Sequence, residues 1–119
     1  MAKNFVKDGK TLTWTNGTGT AVASGDLVMV ENIPCVAAVD IANGATGELY
    51  TEGVFTLPAV NNAAFAQGKP LYLVASTGKL SLTAEDQKYV GLCWTAKAET
   101  ATTAACKIGG YHPTVNESA

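Results

Sequence analysis

Arginine is absent from this chain of 119 residues, and charge of any kind is scarce. Eight lysines and ten acidic residues make up 15% of the sequence and leave a net charge of −2, where a typical domain is roughly 25% charged. Without the guanidinium fork the chain has no bidentate reader of phosphate or guanine. The lysines run from Lys3 to Lys107 without clustering, so the basic patch of a nucleic-acid footprint is missing too. No apolar run is long enough to cross a membrane as a helix. The opening Met1-Ala2-Lys3-Asn4-Phe5-Val6-Lys7-Asp8 alternates polar and apolar residues, unlike the apolar block of a secretory signal. Synthesis in a reducing cytoplasm is expected, with neither nucleic acid nor membrane as partner. Asn16-Gly17-Thr18 and Asn116-Glu117-Ser118 match the glycosylation pattern without the secretory context that gives it meaning.

Groups that carry chemistry are equally sparse. His112 is the only histidine, in a Gly- and Pro-containing tail, where a triad would need a base held in a rigid cleft. The carboxylates Glu85 and Asp86 are adjacent in a turn, which suits capping better than acid/base work. Gly17-Thr18-Gly19 lacks the helix and lysine that complete a phosphate loop. Cys35, Cys93 and Cys106 include no closely spaced pair; with His112 they make a possible but poor zinc set, and buried free thiols are the better reading. An odd cysteine count argues against a disulfide framework. No enzyme activity, metal or cofactor is expected.

What the chain does have is a regular alternation of short apolar runs and turn residues. Thr11-Leu12-Thr13-Trp14-Thr15 puts Leu12 and Trp14 on one face and three threonines on the other. Leu27-Val28-Met29-Val30 is apolar throughout, as in a strand covered on both sides. A further apolar strand is expected from Cys35 to Ile41. Next, Glu48-Leu49-Tyr50-Thr51-Glu52-Gly53-Val54-Phe55-Thr56-Leu57-Pro58 reads as strand interrupted at Gly53 and stopped at Pro58. Leu71–Val74 and Lys79–Leu82 flank Ser76-Thr77-Gly78 as a hairpin, and Tyr89–Ala96 and Thr103–Ile108 complete the set. Asn61-Asn62-Ala63-Ala64-Phe65-Ala66-Gln67-Gly68 offers an Asn cap, alanines and a terminal glycine, and predicts one short helix docked through Phe65. Trp14, Tyr50, Phe55, Tyr72, Tyr89 and Trp94 are expected in the core, with a stacking platform for sugars or bases as the alternative.

Eight or nine short strands at this spacing predict an all-β domain, a compact barrel or sandwich with one short helix. Residues 1–108 form the domain, with an N-terminal arm over about 1–8, and 109–119 form an extended tail. A chain of this length buries roughly two-thirds of its extended surface. The shortage of charge fits either an ordinary Ala- and Thr-rich β domain or one covered by neighbouring subunits.

Several segments, in order, resemble the phage capsid cement (decoration) proteins. They are Gly25-Asp26-Leu27-Val28, Val36-Ala37, Asp40-Ile41-Ala42, Gly44 and Gly47, and Gly53-Val54-Phe55-Thr56-Leu57-Pro58. Ala64 to Gly68, Pro70-Leu71-Tyr72, Thr77-Gly78-Lys79, Val90-Gly91 and Ala104 to Ile108 continue it, and Met1 to Val6 resembles the family's opening. The order and spacing carry the likeness, up to about Ile108. Leu73-Val74 stands after Tyr72 where the family often has an aromatic–acidic pair, and the tail from Gly109 extends beyond the usual last strand. The resemblance implies a structural protein on the outer surface of a tailed-phage virion. It would bind the major capsid protein, commonly as a homotrimer, and bridge capsid subunits. Within that reading Lys3, Asn4, Phe5, Val6 and Lys7 are the expected capsid contact. The loop Asn16–Thr20 and the tail around Tyr111 and His112 are further candidates. The alternative is a head-surface module for receptor or glycan adhesion using exposed aromatics.

Overall fold

The computed structural model describes residues 3–4, 8–84 and 87–109. Among them are nine strands in two antiparallel sheets and no helix. Sheet one contains β1 (Thr11–Thr15), β2 (Leu27–Val30), β3 (Ile33–Ala37) and β4 (Thr46–Tyr50), in the order β1-β4-β3-β2. Sheet two contains β5 (Gly53–Pro58), β6 (Pro70–Val74), β7 (Lys79–Ser81), β8 (Lys88–Cys93) and β9 (Thr103–Ile108), in the order β5-β9-β8-β6-β7. The architecture is a sandwich. A single parallel bridge between Ala59 and Leu80 draws the two edges of sheet two together. The residues Phe5, Val6 and Lys7 of the expected arm, the Glu85-Asp86 turn and the tail from residue 110 lie outside the described residues.

The run from Glu48 to Pro58 is two strands in different sheets, and the glycine inside it is where the chain changes layer. β4 ends at Tyr50, Thr51 and Glu52 cross over, and Gly53 opens β5 at φ 131°, a conformation closed to other residues. Tyr50 and Phe55 stack across this crossover with ring centroids 5.8 Å apart.

Sheet one is apolar on both faces along β2 and β3, whereas on β1 and β4 the face shared with Val36 carries Thr11, Thr13, Thr15, Thr46 and Glu48. Val36, with Leu27 and Met29, faces sheet two and joins an inner core of Leu57, Phe65, Leu71, Leu80, Val90, Cys93, Cys106 and Ile108. Alternate residues Val28, Cys35, Ala37 and Leu49 face the other way, packing with Leu12, Trp14 and Val30 into an outer core. Val22 and Ile41, themselves paired as an isolated bridge, roof that outer core. The unbroken apolar run in β2 reflects these two covers, as the sequence suggests.

Asn16 pins the roof. It is 1% exposed, and every polar atom of its side chain is used. Nδ2 donates to Thr20 O at 2.8 Å and to Ile41 O at 3.0 Å, while Oδ1 accepts from Thr18 N at 2.9 Å and Thr18 Oγ1 at 2.7 Å. Its backbone N–H donates to Ala45 O and its carbonyl accepts from Gly44 N, both at 2.8 Å.

The expected helix over 61–68 is not formed. Phe65 is instead extended and pairs with Lys97: Phe65 N donates to Lys97 O at 3.1 Å, and Lys97 N to Phe65 O at 2.9 Å. Two turns of alanine-rich helix are marginal in isolation. The extended form buries Phe65 to 1% exposure and supplies partners for the backbone beyond β8. Lys97, buried beside it, points Nζ at Ala63 O (2.6 Å), Ala98 O (2.8 Å) and Glu99 O (3.3 Å), and lies 4.8 Å from the Phe65 ring centroid. Those carbonyls and the ring face compensate the ammonium for lost water.

Within sheet two, β8 carries one extra residue at Val90, where the register with β6 shifts from Leu71↔Gly91 to Tyr72↔Tyr89. Gly91 then lies so close to β9 that a Cβ there would sit 2.2 Å from Lys107 O and 2.8 Å from Cys106 Sγ. Burial pushes the Cys35 thiol up from the usual 9.0 to about 11. Burial, reinforced by the neighbouring Cys93, pushes Cys106 from 9.0 to about 12.

Gly91→Ala should destabilise by about 2–4 kcal/mol or prevent folding, because backbone must move. Gly17→Ala, with nothing within 4 Å of its Cβ, should change stability by less than about 0.5 kcal/mol; chemical denaturation of both checks the contrast. Asn16→Ala should lose about 2–3 kcal/mol by stranding its buried partners. The thiols make stability depend on alkaline pH. Their folded pKa values exceed the unfolded one, so this contribution is fully present below pH 9.0 and is lost as pH rises toward about 12. Denaturation midpoints should fall above pH 9.0, and Cys106→Ala should flatten the slope by up to about 1.4 kcal/mol per pH unit.

Candidate functional site

Cys35 lies in the outer core, whereas Cys93 and Cys106 lie in the inner one. Among the described residues no three His, Cys, Asp or Glu side chains form a metal-holding group, and no helix is long and apolar enough to cross a membrane. His112 and Tyr111, with Glu85 and Asp86, lie outside the described residues. Of the expected contact segment, Lys3 and Asn4 occupy an exposed turn, while Phe5, Val6 and Lys7 lie outside the described residues. The loop from Gly17 to Thr20 is exposed, but it is held by Asn16 and by Gly19 N donating to Asn43 Oδ1 at 3.0 Å.

The surface feature that stands out is aromatic. Trp94 is 48% exposed and Tyr50 42%, against the expectation that both pack in the core. Tyr72 and Tyr89 are buried and meet edge to face at 5.9 Å, and Trp14 is half-buried on the outer core. Trp94 follows β8, one residue beyond the inward-facing Cys93, so strand alternation turns it outward. That parity, with Cys93 inward and Trp94 outward, is visible in the sequence of β8 and the residue after it.

Trp94 borders a cleft of about 240 Å³ lined by Gln67, Gly68, Leu92, Cys93 and Trp94. Beside the cleft the segment expected to be helical turns at Gln67-Gly68, where Lys69 N donates to Ala66 O at 3.2 Å and Gly68 takes φ 90°. Gly68 N donates to Cys93 O at 2.7 Å, Cys93 N donates to Lys69 O at 2.8 Å, and Gln67 Nε2 reaches Trp94 O at 3.1 Å. Trp94 N donates to Ala105 O at 2.9 Å, fixing its backbone to β9. The Cys93 thiol donates to Thr95 O at 3.2 Å, and burial raises its pKa above the usual value. A half-exposed indole over a small apolar cleft has the form of a protein-contact anchor, since tryptophan buries much area at low entropy cost.

A second cleft, of about 340 Å³, opens between the sheets at Gly25, Asp26, Leu27, Met29, Pro58, Leu73 and Gly78. It lies along β2, whose outer edge no described strand covers. Ile33, Val39, Val54 and Leu82 add further exposed apolar area. Among the described residues these two clefts and the apolar side chains around them are the surface features that stand out.

No curated protein and no solved structure matches the chain. The family model described as phage cement protein matches residues 6–108, a span that includes both sheets and both clefts. That family is structural rather than an enzyme class, and its name places it with the phage capsid. The chain belongs to the phage cement proteins.

Proposed function

We propose that this protein binds the outer surface of an assembled tailed-phage head and bridges neighbouring major capsid protein subunits, acting as a homotrimer. The observation that carries the reading is the family match over residues 6–108. The physical mechanism is linkage. A ligand that binds the assembled shell and not its separated subunits stabilises the shell by its binding free energy, about 2.7 kcal/mol per site at a free concentration 100 times Kd. Repetition over many sites turns that modest term into a large one.

Two features support the reading. The low charge leaves surface that neighbouring subunits can cover without desolvating ions. Trp94 with its cleft supplies an anchor of the kind that dominates interface energies. The segment Lys3, Asn4, Phe5, Val6 and Lys7 is the proposed capsid contact. As an arm it suits addition to an exposed strand edge, where backbone hydrogen bonds give affinity.

The exposed Trp94 also favours a second reading, adhesion to a receptor or glycan from the head surface, because an indole face stacks on sugar rings. The two readings separate experimentally. Purified protein mixed with matching heads that lack it should co-sediment and raise the temperature at which the heads release DNA. Failure of both would sink the cement reading. Removal of residues 1–7 should weaken co-sedimentation at least tenfold while leaving the melting temperature of the free protein unchanged. Trp94→Ala should change folding stability by less than about 1 kcal/mol, since half its surface is already in water. If that variant still binds heads but loses glycan-array binding, the adhesion reading gains and the anchor role fails.

A further inference from the structure

Two of the three thiols face each other across a strand pair. Cys93 on β8 and Cys106 on β9 are register partners. The N–H and C=O of Cys93 both turn away from β9, to Lys69 O and Gly68 N. The pair is therefore of the non-hydrogen-bonded kind, in which opposed Cα atoms come within about 4.5 Å. A disulfide spans Cα separations of roughly 4.4–6.8 Å, so the backbone is already close enough. The thiols lean apart along the strands. Cys106 Sγ occupies the room that a side chain at Gly91 would fill, and Cys93 Sγ points to Thr95 O. Closure therefore requires rotation about χ1 at each residue. Cys93 also lines the Trp94 cleft, which gives a small reagent its route in, whereas Cys35 is buried in the other core.

We propose that Cys93 and Cys106 form an oxidisable dithiol, which a small-molecule disulfide such as oxidised glutathione closes to a disulfide that staples β8 to β9. Cys93 loses its proton and its thiolate attacks one sulfur of the oxidant. The oxidant's S–S bond breaks, and its other half leaves as a thiolate that takes up a proton. Cys106, deprotonated in turn, attacks Cys93 Sγ and displaces the second half, which leaves in the same way. Two protein thiols are oxidised and one oxidant disulfide is reduced to two thiols. Both protein thiols are held protonated by burial, and the thiolate is the nucleophile, so closure is slow near neutral pH and accelerates as pH rises.

The test uses the intact, reduced protein. It is incubated with millimolar oxidised glutathione at several pH values, then denatured and its free thiols counted. A parallel sample is refolded from the reduced, denatured state in the same oxidant, which removes access as a variable. The expected result is one free thiol per chain, Cys35, with the peptides carrying Cys93 and Cys106 joined and no link between chains. Cys35→Ser should close in the same way, and Cys93→Ser should keep its two thiols. The oxidised protein should melt higher by on the order of 10 °C, an increase reversed by dithiothreitol. Three free thiols in both samples, a link through Cys35, or an unchanged or lower Tm on closure would overturn the proposal.

Discussion

The β2–β3 half of sheet one cannot stand by itself, because those two strands carry apolar side chains on both faces, and the structure answers that constraint twice. Sheet two covers one face through Val36, Leu27 and Met29. The other face is covered by irregular chain, which must satisfy its own backbone while lying on a greasy surface. Asn16 makes that possible. One buried amide ties the Thr18–Thr20 turn to the strand-like stretch at Ile41, and its backbone ties both to the Gly44–Ala45 turn. The outer core is therefore closed by a polar group with every bond made, the condition under which a buried amide gives rigidity without cost.

Lys97 plays the matching part in sheet two. Phe65 is held extended by pairing with Lys97, the Ala66–Lys69 turn that follows bonds to Cys93, and the ammonium gathers carbonyls from both sides of the Phe65–Lys97 pairing. That arrangement, rather than any cofactor or catalytic group, shapes the Trp94 cleft. The shape of the Trp94 cleft thus depends on a buried lysine several residues away from it.

Some of this was legible in the residues. The alternation of Thr11–Thr15 gave its buried and exposed faces correctly, and the apolar run of β2 gave its two covers. Gly53 and Pro58 marked the limits of β5, though nothing local says that the chain changes sheet at Gly53. Strand spacing does not encode which strands pair, so barrel and sandwich could not be told apart. The helix expected over 61–68 failed because alanine propensity is a weak term beside a bridge to Lys97, thirty residues away. Asn16 read as a loop residue because its partners at Thr20 and Ile41 are set by tertiary structure. Trp94 read as core because aromatic content was weighed above strand parity. The family resemblance held over nearly its whole span because it rested on the order of many small features, none of which required knowing a contact.

The bridge between Ala59 and Leu80 has a consequence for the free protein. An open sheet edge is a template for unwanted stacking of one molecule on another. By tying its first and last strands together, sheet two leaves little of that template exposed. The edges left to sheet one are β1 and β2, of five and four residues, short enough to pair with a specific partner yet poor seeds for a fibril. Edges this short give two free copies of the chain little backbone on which to stack.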